Sequence, residues 1–134
     1  MRLFTAEEAN EALPLLRAQV ERLVRRRREQ QQLDRRLGAV RTSVSGNGGS
    51  LDPARVAELE EQAARLETEL AGLIEEIHSL GVQVKDLDLG LIDFPAVHPH
   101  TGETVLLCWR LGEEDVEYWH GLEEGFAGRK PLPF

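Results

Sequence analysis

Asp93, Glu113 and His120 are two carboxylates and an imidazole that a small sheet could bring together as a hard-metal site or a general acid and base. Their spacing matches no known metal motif. A structural reading competes with this one: Asp93 capping a turn before Phe94-Pro95, Glu113 in the acidic turn Gly112-Glu-Glu-Asp115, and His120 hydrogen-bonded and partly buried. Cys108 beside Trp109 has the chemistry of a nucleophile or thiolate ligand, with His120 or His98 as base. No oxyanion-hole motif accompanies it, and a lone cysteine on a strand commonly serves as a small packing residue. Lys85, Asp86, Arg110 and Arg129 could pair with one another or receive a small anion, and Cys108, Trp109 and Trp119 could shape a pocket around Asp93, Glu113 and His120. His98-Pro-His100 offers two imidazoles on one side of an extended segment, or simply an exposed turn.

The remaining composition narrows the field. A chain of 134 residues has room for one domain. With 41% apolar and 30% charged residues it is neither a membrane protein nor a disordered polyelectrolyte. The net charge of −8 and pI near 5.0 argue against a whole-protein grip on nucleic acid or anionic lipid. One cysteine excludes an internal disulfide and a multi-cysteine zinc site, and MRLFTAEEAN lacks the apolar core of a signal peptide, so a cytoplasmic protein is expected. No catalytic motif appears; enzyme status, reaction and cofactor do not follow from the residues.

The elements that must position these groups begin with a helix. Thr5 and Glu8 form a T-x-x-E capping box, and Ala9, Leu13, Leu16, Val20 and Leu23 recur at steps of 4, 3, 4 and 3, resuming at Leu33, Leu37, Val40 and Val44. Pro14 lies inside this pattern, which predicts a bend or a division into two helices. Ser45-Gly-Asn-Gly-Gly-Ser50 reads as a turn. Asp52-Pro53 then starts a second helix whose apolar residues from Val56 to Leu80 alternate at 3 and 4, with Gly81 as its C-terminal cap.

A short loop between two heptad stripes predicts an antiparallel hairpin. From Arg17 to Arg41 nine arginines face three acids, a net of +6, whereas from Asp52 to Leu80 eight acids face two arginines, a net of −6. That complementarity favours pairing of the two helices, or a subunit contact, over nucleic-acid binding by Arg22, Arg25 to Arg28, Arg35 and Arg36. The register places Val44 near Leu51, Leu37 near Leu59, Leu23 near Leu73 and Leu16 near Leu80. It also puts Arg27 and Gln30 in the seam, where packing should be poorer.

Beyond Gly81 the period changes. Val82 to Asp86, Leu89 to Phe94 and Thr104 to Arg110 are short β-rich runs, with a further element from Val116 to His120. In the third run Val105, Leu107, Trp109 and Leu111 share the face expected to pack on a core. The Gly- and Pro-rich tail from Gly121 is expected to lie over the sheet or a neighbour, without regular structure.

FTAEEANEALPLL, GVQVKDLDLGLIDFPA and LLCWRLGEEDVEYWHGLEEGFAGRKPL together resemble a bacterial family known only as domain of unknown function 2203, across nearly the whole chain. The resemblance implies that Lys85, Asp86, Gly90, Asp93, Phe94, Pro95, Cys108, Trp109, Gly112, Glu113, Trp119, His120, Gly125, Phe126 and Arg129 occupy signature positions. It implies no activity.

The sequence thus predicts a single α+β domain: a long antiparallel, coiled-coil-like hairpin over about residues 5–80 and a small antiparallel β unit over about 82–134, seated on the excess of helix one from Phe4 to Leu13. A single helical seam leaves little core, so a homodimer is expected. The function expected first is a non-enzymatic interaction or scaffold module acting through the hairpin, on itself or another protein. The second is a small metal- or ligand-binding domain: metal at Asp93, Glu113 and His120, ligand contacts from Lys85, Asp86, Cys108, Trp109, Trp119 and Arg129. No membrane association is expected.

Overall fold

The computed structural model of the protein describes residues 1–47 and 52–134, with side chains described for 1–42 and 52–134. Helix α1 spans Ala6–Asn47 and α2 spans Pro53–Ser79. They are followed by strands β1 Gln83–Asp86, β2 Leu91–Val97, β3 Thr104–Arg110, β4 Tyr118–Gly121 and β5 Lys130–Pro131, with a 3-10 turn at Phe126–Gly128. The fold is α+β.

Local chemistry accounts for the helix boundaries. The Thr5 hydroxyl accepts from the Glu8 amide, and the Glu8 carboxylate accepts from the Thr5 amide, both at 3.0 Å. Pro14 sits on the exposed side and α1 continues through it unbroken, so the two-helix alternative does not hold. The helix also runs to Asn47, three residues into the segment read as a turn; a helical glycine costs only about 1 kcal/mol and does not force termination. The expected approach of Val44 to Leu51 lies outside the described side chains. At the start of α2, Asp52 Oδ1 accepts from the amides of Ala54 and Arg55, and Pro53 occupies the first helical position. Gly81, at φ +87°, ends the helix in the left-handed conformation its position suggested.

The hairpin packs as two separate clusters. Leu33, Leu37 and Leu59 form the distal one. The larger one joins α1 from Ala9 to Val24, α2 from Leu70 to Ile77, and the sheet. Between them the polar contact across the helices is made by Arg26, whose Nε donates to Glu69 at 2.9 Å; Arg27, expected in the seam with Gln30, donates to Gln30 on its own helix at 2.6 Å and to Asp88 at 3.2 Å.

The five strands form an antiparallel meander in sequence order. One face, comprising Ile92, Phe94, Ala96, Val105, Leu107 and Trp109, packs on the helices, as the period-2 alternation of β3 required. This contact extends along α1 to Val24, well past the expected limit at Leu13. The Phe4 and Phe94 rings meet edge to face at 5.2 Å. The tail departs from its expected irregularity: β5 pairs Pro131 with Tyr118 and Lys130 with Trp119.

Gly90 seats the β1–β2 turn against α1. It lies at φ +67°, and a Cβ there would stand 2.8 Å from Leu111 Cβ and 3.0 Å from Val20 Cγ1. Gly90→Ala should therefore lower stability by about 2 kcal/mol or more. Gly38→Ala, in helix α1 with nothing within 4 Å of the new methyl, should raise it by about 0.5–1 kcal/mol. Urea unfolding monitored by circular dichroism distinguishes the two.

Candidate metal centre

The second face of the sheet carries the polar chemistry. In the β2–β3 register Asp93 is opposite Cys108, and in the β3–β4 register Cys108 is opposite Tyr118 and Leu106 is opposite His120. Antiparallel partners point to one side, so Asp93, Cys108 and His120 share the face turned away from the helices. His120 reaches diagonally across β3, and its Nε2 lies 3.1 Å from Asp93 Oδ2. Its Nδ1 lies 2.8 Å from the Gly121 carbonyl oxygen. One ligand atom from each of Asp93, Cys108 and His120 falls within 4.8 Å of the others.

This face is also buried. Asp93 is 1% exposed, Cys108 0% and His120 3%, with Leu91, Pro95 and Leu106 around them. The segment after β4 covers it. Arg129 stacks over the Tyr118 ring at 4.0 Å and the Phe126 ring at 4.6 Å, and its Nη2 donates to both carboxylate oxygens of Glu113 at 2.7 Å. Glu113 also accepts from the Arg110 amide at 2.7 Å. Glu113 thus latches the tail to the β3–β4 connection; it does not join Asp93 and His120 in the cluster of potential ligands, where Cys108 stands in the place sequence reasoning gave to Glu113. A period-2 pattern puts Cys108 on this face but cannot show that the tail buries it.

The other residues singled out in the sequence lie elsewhere. Lys85 is exposed on the edge strand β1, and Asp86 Oδ1 accepts the amides of Asp88 and Leu89 to close a turn. Trp109 faces the helices and donates from Nε1 to the Glu113 carbonyl. Trp119 packs with His98 at 5.0 Å and Phe134 at 5.3 Å, and Lys130 lies 4.7 Å over its ring. Lys85, Asp86, Arg110 and Arg129 therefore form no common cluster, and Trp109 and Trp119 do not line the buried trio. His98 packs against aromatic neighbours and its Nδ1 accepts the His100 amide at 3.1 Å, which holds the turn together.

The family model described as uncharacterised conserved protein DUF2203 matches residues 2–132. The chain belongs to that family. No curated protein and no solved structure gives a match. Among the described residues no helix of this DUF2203 protein is long and apolar enough to cross a membrane.

Electrostatics separate the possible chemistries. Burial, and then the neighbouring Asp93 carboxylate, push the Cys108 thiol up to about 12. Both His120 ring nitrogens are engaged, one with Asp93 and one with the Gly121 carbonyl, so neither is directed to Cys108 as a general base. A buried neutral thiol with no free base is a poor nucleophile. A metal ion reverses the logic, because coordination deprotonates a thiol outright. Asp93 Oδ1, buried and without a hydrogen-bond partner, is the one carboxylate oxygen of the trio free to take such a bond.

The raised thiol value has a stability consequence. An acid protonated in the fold and ionised in the unfolded chain stabilises the fold below its ordinary value and loses that contribution above it. With a chelator present, the stability advantage of the parent over Cys108→Ala should stay constant up to about pH 9 and shrink by about 1.4 kcal/mol per pH unit towards pH 12. Denaturant titrations of the two proteins across that range measure it.

Proposed function

We propose that the protein is a small metal-binding domain that holds one zinc-class ion between β2, β3 and β4 through the Asp93 carboxylate, the Cys108 thiolate and His120 Nε2. The observation that carries this reading is the convergence, within 4.8 Å and wholly out of solvent, of three different ligand types. Tetrahedral zinc with bonds of about 2.0–2.3 Å needs its donors roughly 3.3–3.7 Å apart, so modest side-chain movement would bring these three to bonding distance and leave the fourth position to a water molecule. One thiolate and one carboxylate neutralise a divalent ion, which makes burial of the group affordable. The mixed sulfur, nitrogen and oxygen set suits zinc, cobalt or ferrous iron and disfavours magnesium and calcium. The contact of His120 Nδ1 with a backbone carbonyl is the outer-shell arrangement that orients a ligating imidazole. A ligand thiol also needs a reducing compartment, which fits the cytoplasm.

A second reading, a protein-interaction module acting through the helical hairpin, is supported by the distal half of that hairpin. There, among the described residues, Leu33, Leu37 and Leu59 are buried together, and an open groove of about 300 Å³ runs between the helices.

Elemental analysis of protein purified without a histidine tag should find close to one zinc-class ion per chain. Cys108→Ser and Asp93→Asn should each lower occupancy about tenfold or more, whereas Glu113→Gln should retain the ion while loosening the tail. Metal at background level in the parent protein, with cobalt addition giving no thiolate charge-transfer band, would overturn the metal reading.

A further inference from the structure

Two polar stripes run along one side of the hairpin. On α1, Arg22, Arg25, Glu29, Gln32 and Arg36 recur at steps of 3, 4, 3 and 4; on α2, Glu58, Gln62, Arg65, Glu69, Gly72 and Glu76 recur at 4, 3, 4, 3 and 4. Each stripe therefore occupies a single helix face. They border one groove, lined by Glu29, Gln32, Arg36, Gln62, Arg65 and Glu69, with Leu33 and Leu66 also in its walls. The sheet does not cover it: Arg27 and Gln31, which lie well around α1 from Gln32 and Arg36, bond to Asp88 in the β1–β2 turn. The α1 stripe holds three arginines and one glutamate, the α2 stripe three glutamates and one arginine.

We infer that this groove is the docking face for a second copy of the chain, and the inference rests on the hairpin being an interaction surface. A two-fold axis along the hairpin lays α1 of each copy antiparallel on α2 of the other without changing height. Height is set by the bond from Arg26 to Glu69, so positions whose numbers sum to about 95 lie level. At that register Arg36 meets Glu58, Glu29 meets Arg65 and Arg25 meets Glu69 across the axis, each pair of opposite charge and each occurring twice. Within one chain Arg25, Arg36 and Arg65 form no ion pair among the described residues. A polyanion would meet the acidic rim as well as the basic one, whereas a second copy matches both. The charges select the partner and its register, and closure over the half-buried Leu66 removes further apolar surface from water.

Analytical ultracentrifugation of the full chain tests the arrangement. At about 50 mM salt and about 100 µM protein the parent should be a dimer, with a dissociation constant rising about tenfold or more at 1 M salt. Arg36→Glu and Glu58→Arg each place like charges across the axis and should each weaken the dimer about tenfold or more. An equimolar mixture of the two single variants, and the double variant R36E/E58R, should both recover it. Both side chains are exposed, and circular dichroism confirms that folding is unchanged. A dimer indifferent to salt and to both substitutions would leave self-association standing but remove this face. Failure of the mixture and of the double variant to recover would overturn the charge pairing, and a parent protein monomeric at 100 µM would overturn the interaction reading with it.

Discussion

Burial of both faces of a five-stranded sheet is the constraint on which the rest of this structure depends. A half-exposed antiparallel sheet can leave polar side chains to water. Here the helices take one face and the segment after β4 takes the other, so a carboxylate, an imidazole and a thiol are enclosed together. Enclosed polar groups must satisfy one another or a bound partner, because each unpaired one costs about 1–3 kcal/mol. The contact between Asp93 and His120 meets part of that demand, and Asp93 Oδ1 remains outside it. The trio is therefore a consequence of the cap as much as of the strands.

Beside the pairing of β5 with β4, a charged contact holds the cap. Arg129 is held by both oxygens of Glu113 and lies against the Tyr118 and Phe126 rings. Its side chain is only 11% exposed, so this is a largely desolvated ion pair, whose loss would leave an uncompensated charge rather than merely a weaker contact. Glu113 acts on the buried cluster through the covering segment. Residues that look alike in sequence, two acids and a histidine in one polar stretch, thus divide between holding the lid and forming the interior.

The hairpin obeys a different economy. Near the sheet its seam is continuous with the main core, while farther out the buried cluster among the described residues is Leu33, Leu37 and Leu59. Between the two, arginines and glutamates replace leucines, because the heptad pattern of α1 lapses from Arg25 to Gln32. Long side chains there cover the seam with their stems and pair at their ends, as Arg26 does with Glu69.

The helices, their caps and their antiparallel register were legible in the sequence because each rests on short-range chemistry: Thr5 with Glu8, Asp52 with Pro53, Gly81 at positive φ, and leucines at alternating steps of 3 and 4. The three main strands and the parity of β3 were legible for the same reason. What the periodicity left open was the fate of the even-numbered face of β3, since alternation names two sides without saying what covers either. Only the tertiary fold could turn that side inward, bring Cys108 between Asp93 and His120, and send Glu113 to Arg129 instead. Those outcomes depend on strand register and on a tail folding back from the far end of the chain, both of them contacts between residues distant in sequence whose geometry no local pattern encodes.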